Sequence, residues 1–380
     1  MKLNSKLPNL SLTIFSEMTQ LADAHGAINL SQGFPDYAVP VELTALVTKY
    51  MQQGCNQYAP MQGVQYLREQ ISAKVLELYG AEYDPAREIT VTSGATEALF
   101  AAITAVVREG DEVIVLEPAF DSYTPVISLC GGVPVYVQLA FPGYQIDWNE
   151  IRQAISEKTR AIIINSPHNP TGAVLTREDI SSLIEIVSDS NIVIISDEVY
   201  EHIIFDGCTH QSIARYPQLA QRSFVISSFG KTYHATGWKI GYCLAPAELS
   251  REFQKIHQYL TFASNTPVQH ALAEFMQQKE VYLQLSEFYQ QKRDKFLNSL
   301  QGSRFRALPC KGTYFQMLDY AQITDEPDLE FARRLTSDFG VAAIPPSVFY
   351  HRRNDYKVLR FCFAKKDETL ERAAEKLSRV

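Results

Sequence analysis

Through the middle of the chain, short apolar runs rich in β-branched residues alternate with longer stretches whose apolar positions recur every three or four residues. The runs Ile89–Thr92, Val113–Leu116, Val133–Val137, Ala161–Asn165, Ile192–Ser196, Phe224–Ser227 and Ile240–Leu244 read as strands. Between several of them, Ala95–Val107, Trp148–Glu157 and Thr176–Ser188 carry helical periodicity. Strands that are apolar on both faces and alternate with helices belong to a mostly parallel sheet covered on both sides, so the fold class is α/β.

The last hundred residues follow another pattern. One long polar helix is expected over Val268–Leu300, followed by short runs at Phe305–Leu308 and Thr313–Leu318. A helix over Asp328–Phe339, runs at Val341–Ile344 and Val358–Phe363, and a final helix over Asp367–Leu377 complete it. That is an α+β unit on which the first forty-odd residues can pack. The expected division is therefore discontinuous: a large domain over 45–275, and a small one from 1–44 and 276–380.

Composition narrows the partners. The chain has 380 residues, 46% of them hydrophobic, and a formal charge of −8 from 35 basic and 43 acidic side chains. Such an acidic balance does not suit nucleic acid or an anionic membrane surface, and no window approaches the 18 apolar residues of a spanning helix. Cys55, Cys130, Cys208, Cys243, Cys310 and Cys362 lack any CxxC or His/Cys clustering, so reduced thiols and no metal site are expected. The N-terminal stretch lacks the apolar core of a signal peptide, which points to a cytoplasmic protein.

Candidate chemistry sits where apolar runs end. No G-x-G-x-x-G follows the first strand, and Val225 stands where a P-loop ahead of Gly230-Lys231-Thr232 needs glycine. Ser93-Gly94-Ala95-Thr96-Glu97 lies at a strand-to-helix handover, where free N–H groups suit a phosphate, although an ordinary helix cap explains it equally well. Asp197 closes an all-apolar run, at the sheet edge where ligands of open α/β folds bind. A carboxylate there can cap a helix or keep a pyridine nitrogen protonated. Asn165-Ser166-Pro167-His168-Asn169-Pro170-Thr171-Gly172 reads as a tight turn. Ser227–Tyr242 holds two lysines, several hydroxyls and three glycines.

Taken in order, Ser-Gly-Ala-Thr-Glu-Ala, Asn-Pro-Thr-Gly, Asp-Glu-Val-Tyr, Ser-Phe-Gly-Lys and Gly-Trp-Lys-Ile-Gly-Tyr resemble the class I/II, fold-type I aminotransferases dependent on pyridoxal 5'-phosphate (PLP). The resemblance runs from Ile14 to Leu377. Asn29–Asp36 and Asn56–Pro60 are similar to its methionine aminotransferase and kynurenine–oxoglutarate aminotransferase branch. The resemblance implies a seven-stranded sheet in the large domain and Lys231 as the lysine that carries PLP as a Schiff base. It implies Asp197 against the pyridine nitrogen, Tyr200 and Asn169 on the ring's 3'-oxygen, and Phe120 stacked on the ring. Phosphate contacts would come from Ala95, Thr96, Ser228 and Lys239, with Tyr58 reaching across a homodimer interface. Arg360, backbone Gly33 and Asn169 would hold the substrate's α-carboxylate.

Relatives selective for dicarboxylates carry a second arginine near the segment aligned with Ser264-Asn265, whereas Gln258–Gln269 contains no basic residue. Phe15, Phe34, Tyr123 and Phe262 are instead the expected pocket walls. The expected function is ping-pong transamination between methionine or aromatic amino acids and a 2-oxo acid. The alternatives are a PLP-dependent cysteine-S-conjugate β-lyase and, more remotely, a PLP-binding regulatory module.

Overall fold

The computed structural model of the protein describes residues 4–8 and 13–380. All the strand runs of the middle region enter one seven-stranded sheet. Its strands are β1 (Ile89–Thr92), β2 (Glu112–Glu117), β3 (Val133–Gln138), β4 (Thr159–Asn165), β5 (Val193–Asp197), β6 (Ser223–Ser228) and β7 (Gly241–Leu244). They lie in the order β1-β7-β6-β5-β4-β2-β3. Every neighbouring pair is parallel except those of β7, which runs antiparallel to β1 and to β6.

Both faces of the sheet are buried, which is why its strands read as unbroken apolar runs rather than alternating ones. Ile162, Ile164 and Ile194 join one core, while Ala161, Ile163 and Ile195 join the other beneath the helix Ala95–Val106. The carboxyl ends of β4, β5 and β6 come side by side: Asn165 is in register with Asp197, and Asp197 with Ile226. Three polar side chains, Asn165, Asp197 and Ser228, therefore close three adjacent apolar strands at one edge.

The two ends of the chain interleave in smaller sheets. Ile28–Asn29 pairs in parallel with Val341–Ala342, and Phe315–Asp319 is flanked antiparallel by Val358–Cys362 and Arg306–Ala307. Met317 faces Arg360 across that ladder. The helices over Asp328–Phe339 and Asp367–Leu377 form where the periodicity places them.

The single helix expected over Val268–Leu300 does not form. It is split into Thr266–Phe275, Glu280–Leu283 and Leu285–Ser299. Gln277-Gln278-Lys279-Glu280 is exposed throughout, so the buried stripe ending at Phe275 and Met276 has no apolar successor one turn on. It restarts only at Tyr282 and Leu285. Helices at Ile14–His25, Val41–Gln52, Gln65–Tyr79 and Ala247–Leu260 were not marked by the pattern. Among the described residues no helix is long and apolar enough to cross a membrane.

Candidate active site

The strand edge opens on a cavity of about 270 Å³ whose walls come from both ends and the middle of the chain. Asp197 lies at its base, 4% exposed, and burial pushes its carboxyl up to about 6. The Tyr123 hydroxyl donates to its Oδ2 at 2.7 Å and the Val199 amide to its Oδ1 at 3.4 Å. Tyr123, expected as a wall of the substrate pocket, thus lies buried behind Asp197 and braces it instead. Asn165 ties the neighbouring turn to this point. Its Nδ2 donates to the Asp197 carbonyl at 2.9 Å, and its Oδ1 accepts the Asn169 amide at 2.8 Å.

Lys231 borders the same cavity from the short helix Phe229–Thr232 that follows β6. Its Nζ donates to the Tyr314 hydroxyl at 2.9 Å and to the Gly33 carbonyl at 3.3 Å. Burial, with Lys239 and Arg360 nearby, lowers its amine to about 8. At that value a sizeable fraction of the amine is unprotonated near neutrality. Tyr200, also on the cavity wall, brings its ring edge to face with Tyr314 at 5.1 Å.

At one end of the cavity, the helix Ala95–Val106 begins at Gly94 with no side-chain cap, so its first amides remain free. Gly94 has φ +80, and a Cβ on it would come within 3.5 Å of Lys239 Nζ. A Cβ on Gly241 would lie 2.9 Å from the Ala95 amide and 2.7 Å from the Ser227 carbonyl. The helix start is therefore packed against β7 closely enough to require glycine. Ala95, Thr96, Ser228 and Lys239 all line this end. Free amides, a hydroxyl and an ammonium form a cradle for a phosphate. Ser93 is not the helix cap. Its hydroxyl lies 3.3 Å from that of Ser264, while its amide donates to Glu97 at 2.8 Å.

At the other end is Arg360, in the centre of Val358–Cys362 and 0% exposed. Its Nη1 donates to Asn169 Oδ1 at 2.8 Å, its Nη2 donates to the Ser31 carbonyl at 2.7 Å, and its Nε has no partner. The guanidinium sits 3.9 Å from the Phe315 ring centroid and 5.2 Å from that of Phe15. Burial lowers it to about 10. None of the ion pairs among the described residues includes it. Gly33 packs closely on the same Phe315 ring, since a Cβ there would lie 2.5 Å from Phe315 Cζ.

Of the residues expected at the site, the cavity brings together Phe15, Gly33, Ala95, Thr96, Phe120, Asn169, Asp197, Tyr200, Ser228, Lys231, Lys239 and Arg360. Three others, Tyr58, Phe34 and Phe262, lie apart from it, and Phe262 is 44% exposed. Tyr58 is 84% exposed and meets Phe262 edge to face at 5.5 Å, and Phe34 is 39% exposed with Lys365 Nζ 4.3 Å from its ring centroid. Phe315, Asn165 and Thr236, which also line it, were not expected there, and neither was Tyr314, which reaches the site through Lys231 and Gly33. Tyr314 and Phe315 lie in an apolar run that reads as core, and only its juxtaposition with Gly33 reveals another role.

The cavity thus offers a phosphate cradle, a buried carboxylate, an aromatic ring at Phe120 and an amine that is partly unprotonated. Those features fit PLP, whose phosphate, pyridine nitrogen, ring and aldehyde each find a chemically matched neighbour. The family model for class I and II aminotransferases matches residues 25–377. The chain is similar to Escherichia coli (strain K12) methionine aminotransferase, with 52% identity covering 99% of this chain and 98% of the relative. It is also similar to a probable N-succinyldiaminopimelate aminotransferase of Mycobacterium tuberculosis, at 38% identity over 98% and 97% of the two chains. A kynurenine–oxoglutarate transaminase of Dictyostelium discoideum matches at 35%, over 97% and 94%. The crystal structure of Escherichia coli YbdL, identified with a methionine aminotransferase function, superposes with a TM-score of 0.98 at 51% identity, covering all of both chains. This chain belongs to the class I and II aminotransferases and is a PLP-dependent enzyme that acts on amino acid and 2-oxo acid substrates.

Proposed function

We propose that the enzyme transaminates methionine and aromatic amino acids with a 2-oxo acid, working as a homodimer in the cytoplasm. The observation that carries this reading is Arg360: a fully buried cation with only neutral hydrogen-bond partners, lining the same cavity as the Lys231 amine and set among aromatic rings. A buried charge is stable only when paired, and a planar guanidinium is matched by a bidentate carboxylate. The substrate's α-carboxylate supplies that partner. The only cations lining the cavity among the described residues are Lys231, Lys239 and Arg360. With Lys239 at the phosphate end and Arg360 on the α-carboxylate, no cation remains for a side-chain acid. Phe15 and Phe315 instead suit a thioether or an aromatic ring. The similarity to methionine and kynurenine aminotransferases supports the same choice.

Each residue has a physical task. PLP, when bound, supplies the electron sink that stabilises charge on the substrate's α-carbon. The Ala95 and Thr96 amides, Ser228 and Lys239 would bind its phosphate, and Phe120 would cover its ring. Asp197 would hold a proton at the ring nitrogen, its own position fixed by Tyr123. Asn169 would orient both the ring's 3'-oxygen and the Arg360 guanidinium. The Lys231 amine would take up and return the proton at the substrate's α-carbon, an exchange that requires a value near neutrality. The exposed Tyr58 and Phe262 would be covered by the second subunit, with Tyr58 completing the phosphate site. We take 45–275 as the cofactor domain and the two ends as the small domain that carries Arg360. The interleaved terminal sheets support that division.

Borohydride reduction of the PLP-loaded enzyme, followed by peptide mapping, is expected to mark Lys231. A donor panel should then rank methionine and aromatic amino acids above aspartate. An unmodified Lys231 contradicts the mechanism, and a preference for aspartate contradicts the substrate assignment.

A further inference from the structure

Tyr314 stands immediately before the strand Phe315–Asp319, and its ring is fully buried. Its position is fixed by the rings around it, with centroids at 4.9 Å from Phe315, 5.1 Å from Tyr200 and 5.7 Å from Tyr289. The hydroxyl donates its one proton to the Gly33 carbonyl. Burial pushes the phenol well above its ordinary value, so it stays a neutral hydroxyl. A phenol whose proton is committed has only lone pairs left to offer. These meet Lys231 Nζ at 2.9 Å, a closer contact than the amine makes with the Gly33 carbonyl at 3.3 Å.

Transamination requires Lys231 to be released from the cofactor once per half-reaction. Its free amine, on a flexible four-carbon stem, must then remain beside the substrate's α-carbon. Resting on the function proposed above, we propose that Tyr314 is a positioning residue, its hydroxyl being the seat that holds the Lys231 amine whenever that amine is not bonded to the cofactor. The seat also links the amine to Gly33, and through that segment to Ser31, whose carbonyl accepts from Arg360. The amine's seat and the carboxylate grip are therefore held by one short stretch of chain.

The test is Tyr314→Phe, which keeps the buried ring and removes the hydroxyl. The titratable groups that act on the amine, Cys362, Lys239, Arg360 and Asp197, and the Gly33 carbonyl that also accepts from it, are all retained. In cofactor-free enzyme, labelling of Lys231 by an amine-directed reagent should have its midpoint at about 8 in the wild type. In the variant the midpoint should fall by roughly half a unit to one unit, because an acceptor for the ammonium form is lost. In the loaded enzyme, kcat for methionine should fall about tenfold with KM within about twofold, since an interaction with the moving amine is removed and substrate binding is not. Replacement of Tyr314 by 3-fluorotyrosine, which preserves ring and hydroxyl but weakens the acceptor, should shift the midpoint the same way by less; this arm carries the test if the phenylalanine variant does not fold. Unchanged midpoint and unchanged kcat in a folded variant overturn the proposal while leaving Lys231 as the cofactor lysine. A wild-type enzyme whose Lys231 escapes borohydride marking overturns both.

Discussion

Lys74 and Arg360 are both buried cations, and they are treated in opposite ways. Lys74 is 6% exposed and fully answered: its Nζ lies 2.7 Å from Glu201 and 3.0 Å from the Tyr242 hydroxyl. Ser227 and Tyr79 donate to the same carboxylate. Arg360 is more deeply buried yet meets only an amide oxygen and a carbonyl, and its Nε is left over. Burial of both is costly, but only the first is offset within the protein. The difference separates a charge that serves the fold from one that awaits a ligand.

The largest effect should follow from breaking the answered pair. Lys74→Met leaves Glu201 buried without its cation and should cost about 3–5 kcal/mol in urea unfolding. The pH dependence should also invert. In the wild type, burial opposes the charge of Glu201, but Lys74 and His202 and the hydrogen bonds of Lys74 and Ser227 outweigh it and hold the carboxyl well below its ordinary 4.5. Its contribution is therefore present above the unfolded value and is lost as pH falls through the lower folded one. Without Lys74, burial dominates and raises the folded value, so the variant should lose stability as pH rises from 4 to 7. Glu201→Gln in that background should recover part of the loss.

Arg360→Met should behave in the opposite manner. Removing an uncompensated buried charge should leave unfolding within about 1 kcal/mol of the wild type, or raise it. Losing the carboxylate grip should instead cost about 2–5 kcal/mol in kcat/KM, roughly 30-fold to several-thousand-fold. A smaller change is expected from Phe15→Leu beside the guanidinium. The ratio of kcat/KM for phenylalanine over methionine should move by about tenfold, because apolar contacts discriminate by only about 1–3 kcal/mol. The smallest is electrostatic: Arg360 lowers the Lys231 amine, so Arg360→Met should raise the labelling midpoint above about 8 by a few tenths of a unit.

The contrast also explains what was legible in the sequence. The sheet was readable because strands buried on both faces leave continuous apolar runs, and Ile162–Ile164 or Val193–Ile195 can do little else. Asp197 and Arg360 stood out as polar groups closing or interrupting such a run, and Asn169 and Lys231 as members of motifs in the turns that follow one. Tyr314 and Phe315 were not, because a buried aromatic at strand spacing looks the same whether it packs a core or seats an amine. Tyr123 was placed in the right neighbourhood with the wrong task, since sequence does not show which end of a tyrosine faces the site. The split after Phe275 was missed because Gln277–Glu280 are sound helix formers, and burial stopped the helix where propensity did not.

The most direct test of the account is the affinity of the PLP-loaded enzyme for 3-phenylpropanoate and its neutral amide, in the wild type and in Arg360→Met. The account predicts that the wild type prefers the carboxylate by at least about 30-fold and that the variant prefers neither, because the charge on Arg360 accounts for the difference. Equal preference for the carboxylate in both enzymes would contradict it.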